Sequence, residues 1–172
     1  MSPGERPAVG RGRRVREPVA PDGGRDRPEV SQPVEPDVEQ GLYRLAERAA
    51  ALALERHGRA GCEFGLVLAG DAELHDLNLR FRGVDAPTDV LSFPCDDLPP
   101  PGEPPYAGDV AVSLERARAQ AQAFGHGLER EVCYLTVHGV LHLLGYDDAG
   151  EEDLAEMHRL TEEVMAEMGL CR

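Results

Sequence analysis

Apolar residues recur at helical spacing in the first ordered-looking stretch of the chain. Leu42, Leu45, Ala46, Ala49, Leu52 and Ala53 fall on one face of a 3.6-residue period, which predicts a helix from near Val38 to near Gly58. Residues 62–69, Cys-Glu-Phe-Gly-Leu-Val-Leu-Ala, form a short apolar run and predict a strand. Asp71 is a good N-cap for a helix over 72–81, with Leu74, Leu77 and Phe81 as its apolar face. Residues 89–93, Asp-Val-Leu-Ser-Phe, predict a second strand closed by Pro94, and the proline-rich, acidic residues 95–107 predict a loop. Asp109-Val110-Ala111-Val112 reads as a third strand, with Ser113 capping the helix that follows. A long helix is expected from Leu128 to Leu144. A last one is expected from Glu151 to Met168, with Leu154, Met157, Leu160, Val164 and Met168 facing inward.

Strands alternating with helices in this way predict a small mixed sheet covered by about five helices, in a single domain over 38–172. Residues 1–37 carry no such period. They hold seven prolines and five glycines, which predicts a disordered, dispensable tail. The other reading of that tail is an RNA-tethering arm built on Arg11, Arg13, Arg14 and Arg16, which the interspersed acidic residues weaken.

Charge narrows the partners. The net charge is −14, and all 18 basic residues are arginine. The tail is balanced at seven Arg against seven Asp and Glu, so residues 38–172 carry the whole excess. A broad nucleic-acid surface needs a basic face, so phosphate binding must be local, through a few arginines and a metal. No apolar run approaches the length that crosses a bilayer, and the N-terminus lacks the apolar core of a signal peptide; a soluble cytoplasmic protein is expected. Cys62, Cys95, Cys133 and Cys171 are far apart in sequence and predict reduced thiols, neither a disulfide frame nor a thiolate metal site.

The chemistry concentrates in residues 138–148, His-Gly-Val-Leu-His-Leu-Leu-Gly-Tyr-Asp-Asp. His138 and His142 are four residues apart, on one helical face. Gly145 stops the helix, and the returning chain brings a carboxylate back to the imidazoles. A lone histidine on an apolar helix is usually a satisfied core residue. Two at this spacing, followed by glycine and a carboxylate, point to a metal site with an open fourth position. Asp148 is the expected third ligand, with Asp147 and His158 as its competitors. A zinc peptidase helix carries glutamate directly after its first histidine as general base. This chain has Gly139 there, which disfavours a peptide hydrolase. Thr88, Asp89 and Ser92 read as turn and strand residues.

The segment 138–148 resembles the signature of the bacterial endoribonuclease YbeY family. Leu77-Asn78, Phe81-Arg82-Gly83 and Pro87-Thr88-Asp89-Val90-Leu91-Ser92-Phe93-Pro94 resemble a second block of that family. Gly108-Asp109-Val110-Ala111-Val112-Ser113 resembles a third, and the resemblance extends over about 38–168. It implies an α+β fold and a zinc-dependent, single-strand-specific endoribonuclease. It implies a place in ribosomal RNA processing, notably 16S 3′-end maturation, and in ribosome quality control. The implied partners are single-stranded RNA and the ribosome or its proteins, with neither DNA nor a membrane. The family's zinc ligands fall on His138, His142 and position 148, where the family usually has histidine and this chain has Asp148. Zinc accepts aspartate oxygen at about 2.0–2.2 Å, so the exchange is chemically sound, but the added negative charge weakens the metal as a Lewis acid. On spacing alone Arg82 reads as a surface arginine paired with Asp85 or Asp89; the resemblance makes it a phosphate ligand that stabilises developing charge. Asp109 is a candidate to orient a ligand histidine, with a structural role as its default. A rival reading is a ribosome-assembly binding factor whose metal is structural.

Overall fold

A computed structural model of the chain describes residues 36–171. The tail expected over 1–37, with its possible arginine arm, lies outside the described residues but for its last two. The chain runs α1 (Pro36–Arg56), β1 (Glu63–Ala69), α2 (Asp71–Arg82), β2 (Val90–Pro94), β3 (Tyr106–Ser113), α3 (Leu114–Phe124), α4 (Leu128–Leu143) and α5 (Glu151–Glu167). The strands form one mixed sheet in the order β1-β3-β2, with β1 parallel and β2 antiparallel to β3. Five helices on a small mixed sheet make this an α+β fold, as the pattern of elements predicted. Among the described residues no helix is long and apolar enough to cross a membrane.

Among the described residues, helix α4 is the central element. It packs on α1, α3 and α5 and on strands β2 and β3. Ten of its sixteen residues are buried, which explains why its sequence is apolar nearly all round. Its partner α1 buries Ala46, Ala49, Ala50 and Ala53, small side chains that let two helices approach closely. On the other face of the sheet α2 covers a smaller cluster of Ala69, Leu74, Leu91 and Ala111, joined by Leu77 and Phe93.

Four expectations need correction. Gly70, not Asp71, caps α2; Asp71 is the first helical residue, and its carboxylate accepts from the Ser113 hydroxyl at 2.6 Å and from Arg116 Nε at 3.2 Å. Ser113 caps α3 as expected, by accepting from the Arg116 amide, so the starts of α2 and α3 are tied together. Strand β3 begins at Tyr106 rather than Asp109, because Tyr106 pairs with Glu63 of β1 and the pairing with β2 extends to Pro94 opposite Gly108. Gly108 has φ +127°, and a Cβ there would run into the Phe93 carbonyl, so glycine is needed for that pairing. Phe81 and Leu154, expected inside, are 63 % and 49 % exposed.

Candidate metal centre

The C-terminal half of α4 carries the site. Gly139 lies at the closest approach of the helix to the sheet: a Cβ there would come within 2.6 Å of Val110 Cγ1 and 3.1 Å of both Ser92 Oγ and Val90 Cγ2. Ser92 Oγ donates to the Gly139 carbonyl at 2.8 Å, pinning the helix to β2 at this point. His138 and His142 project from the adjoining face, half-buried, with ring centroids 4.8 Å apart and nearly perpendicular.

The helix ends as the glycine predicted. Gly145 has φ +93°, its amide donates to the His142 carbonyl, and the Tyr146 amide donates to the Leu141 carbonyl. This is the pair of reverse bonds of a Schellman motif. The turn also orients a candidate ligand: His142 Nδ1 lies 3.0 Å from the Tyr146 carbonyl oxygen. A carbonyl only accepts, so Nδ1 carries the proton and Nε2 presents its lone pair. The Tyr146 ring is held edge-on against His57, whose Nδ1 bonds the Ala53 carbonyl at the end of α1.

Asp148 returns to the imidazoles. His138 Nε2 and His142 Nε2 are 3.2 Å apart, and Asp148 Oδ2 lies 3.5 Å from the first and 3.6 Å from the second. Tetrahedral coordination at zinc bond lengths of about 2.0–2.1 Å separates ligand atoms by about 3.3–3.4 Å. The three atoms therefore already form the face of such a tetrahedron, and this is the one group among the described residues that can hold a metal ion. Burial and then the neighbouring His142 push the His138 pKa below its ordinary value, against the opposing pull of Asp148 and, more weakly, of Asp89. A neutral imidazole is the form that binds a metal.

The competitors of Asp148 are engaged elsewhere. Asp147 Oδ1 accepts from the Asp148 amide at 2.8 Å and so shapes the loop. His158 Nδ1 is 2.7 Å from the Tyr134 hydroxyl, and Tyr134 stacks on His138 with ring planes 13° apart. His158 thus supports the ring beneath His138 without belonging to the candidate ligand group. His158→Ala is expected to keep its metal, within about the 10–100-fold affinity loss typical of a ligand's supporting residue, as metal analysis after dialysis checks. Tyr134, one turn before His138 on the same face, was not singled out from sequence; its i, i+4, i+8 relation to the two histidines was the available signal.

The other candidates divide. Arg82 makes no ion pair among the described residues; Asp85 bonds His75 and Asp89 accepts from Gln120 instead. One Arg82 nitrogen reaches the Ser92 carbonyl oxygen at 3.5 Å, on the strand residue whose hydroxyl holds Gly139. Asp109 does not join the histidines. Val110 faces α4, so strand alternation turns Asp109 to the opposite face of the sheet, where Tyr106 donates to it at 2.6 Å. Thr88 and Ser92 are turn and strand residues as read.

The family model for Endoribonuclease YbeY matches residues 31–169. A protein of Chloroflexus aurantiacus named Endoribonuclease YbeY is 48 % identical over 149 residues, which cover 81 % of this chain and 97 % of that protein. Proteins of the same name from Roseiflexus castenholzii and Chloroflexus aggregans are 48 % and 50 % identical, each over 74 % of this chain and over 84 % and 88 % of their own lengths. With the family match spanning most of the sequence, this chain belongs to the endoribonuclease YbeY family.

Proposed function

We propose that the protein is a zinc-dependent, single-strand-specific endoribonuclease that acts in ribosomal RNA processing, including maturation of the 16S 3′ end, and in ribosome quality control. The observation that carries this reading is the triangle of two imidazole nitrogens and one carboxylate oxygen, 3.2–3.6 Å on a side. It stands in a chain whose relatives are named endoribonucleases. Two nitrogens and one oxygen suit zinc, and three protein ligands are the number found at catalytic rather than structural zinc sites.

His138, His142 and Asp148 would hold the ion. When bound, zinc supplies Lewis acidity toward the phosphodiester. Tyr146 and Tyr134 fix the two imidazoles through the contacts described above. Arg82 binds the scissile phosphate: its guanidinium has no carboxylate partner among the described residues, and its fork of donors matches two phosphate oxygens. The acidic surface adds few further phosphate contacts. Binding to free RNA is therefore modest and its salt dependence shallow, and delivery by the ribosome or a ribosomal protein fits that weakness.

The test is cleavage of an end-labelled single-stranded RNA and of its duplex by the zinc-loaded protein, before and after chelation. The expected result is internal cleavage of the single strand alone, lost on chelation and restored by zinc. Cleavage that survives chelation, or none with zinc present, overturns the reading. Arg82→Lys keeps the charge but loses the fork, and a hydrogen bond to a charged group contributes about 1.5–3 kcal/mol. Its cleavage rate is expected to fall about ten- to a hundred-fold at unchanged zinc content.

A further inference from the structure

The end of α2 presents an aromatic ring to solvent between two arginines. Phe81 is 63 % exposed. The ring's aromatic contact is an edge-on one with Phe93, at 5.3 Å between centroids. The Arg80 guanidinium lies 5.7 Å from the Phe81 centroid. Arg80 pairs with Asp76 at 3.3 Å, an exposed i,i+4 contact that contributes little. Arg82, the next residue, has no ion pair among the described residues.

A single exposed phenylalanine is ordinary on a protein surface. Two features separate this one. The chain has only four phenylalanines, four tyrosines and no tryptophan, so an aromatic ring spent on solvent is costly to its core. The ring also carries the Arg80 guanidinium over it and is followed directly by Arg82, in a chain with net charge −14. An aromatic face beside arginines is the arrangement that binds single-stranded nucleic acid without reading its sequence: the ring stacks on a base, and the arginines meet the phosphates.

We propose that Phe81 is a stacking platform for one base of single-stranded RNA, beside the phosphate held by Arg82. The proposal rests on the ribonuclease reading and adds a substrate subsite to it. Phe81 rests edge-on against Phe93 while Arg82 reaches the carbonyl of Ser92, the preceding residue of β2, so both side chains lean on the same stretch of that strand and can serve a base and a nearby phosphate. Stacking requires a base free of its partner strand, which makes this subsite a source of preference for single strands over duplex.

The test uses the full chain and a single-stranded oligoribonucleotide carrying 2-aminopurine, whose fluorescence is quenched on stacking. Phe81→Leu keeps an apolar side chain but removes the ring, and Phe81→Tyr keeps the ring. Quenching is expected with the natural protein and with Phe81→Tyr and is expected to be lost with Phe81→Leu. In Phe81→Leu the KM for cleavage rises about five- to a hundred-fold, kcat changes less, and zinc content stays the same. If the natural protein cleaves the RNA and Phe81→Leu binds and cleaves it with the same KM, the platform is wrong while the ribonuclease reading stands. If the natural protein neither binds nor cleaves single-stranded RNA, the ribonuclease reading fails and takes the platform with it.

Discussion

Replacing His142 by alanine is expected to strip zinc from the protein and to abolish RNA cleavage with it. His138→Ala should do the same. Each removes one of three protein donors, so the loss in zinc affinity exceeds the roughly 10–100-fold seen when only a ligand's supporting partner is removed. The fold should survive. Both imidazoles are only half-buried, and His142→Ala gives up one hydrogen bond, to the Tyr146 carbonyl, at about 0.5–1.5 kcal/mol. A domain of this size has about 5–15 kcal/mol to lose. Metal analysis, circular dichroism and cleavage on the same preparation separate the outcomes. Asp148→Ala decides the third ligand: zinc lost as completely as in the histidine variants places the carboxylate on the metal. Zinc lost in both histidine variants but retained in Asp148→Ala would remove Asp148 from the site.

The reach of the sequence follows from how local each determinant is. The two histidines, the stop at Gly145 and the returning Asp148 lie within eleven residues, and each step obeys a short-range rule of helix geometry. That part of the site was legible without the fold. Asp109 was not, because its role depends on which face of β3 meets α4, and alternation gives two faces without saying which is which. The start of β3 at Tyr106 depends on its partners β1 and β2, since nothing in Tyr106, Ala107 and Gly108 asks for a strand by itself. Phe81 and Leu154 matched an inward helical period, yet each lies at an end of its helix, Phe81 in the last turn of α2 and Leu154 in the first turn of α5, beyond its buried stretch. The state of Arg82 was a matter of its competitors: only the fold shows Asp85 taken by His75 and Asp89 by Gln120.

Gly139→Glu is expected to prevent folding. In sequence terms that change would restore the general-base position of a zinc peptidase helix, and the structure shows why it has no room. Gly139 is buried where α4 rests on the sheet, against Val110, which is fully buried and β-branched and so yields little. Even alanine brings its Cβ to 2.6 Å from Val110 Cγ1, with Ser92 and Val90 at 3.1 Å. For alanine two terms compete. Its higher helix propensity contributes about 1 kcal/mol, while overpacking a well-filled core costs about 1–3 kcal/mol. The clash is with three side chains at once and wins, so Gly139→Ala should lose about 1–2 kcal/mol and roughly 3–8 °C in Tm. Glutamate adds an unpaired charge in the same interface, at a further cost of several kcal/mol, which exhausts the stability of the domain. Thermal unfolding of the two variants measures this series. The alanine variant carries a second consequence, because Gly139 stands between the two histidines and is tied to the strand that Arg82 touches. A helix pushed off the sheet carries both imidazoles with it. At 25 °C, well below its Tm, the folded alanine variant should therefore cleave RNA about ten- to a hundred-fold more slowly. Natural Tm and natural activity in Gly139→Ala would mean that the helix is free to yield there, and that the close packing of α4 on β2 and β3 does not position the metal centre.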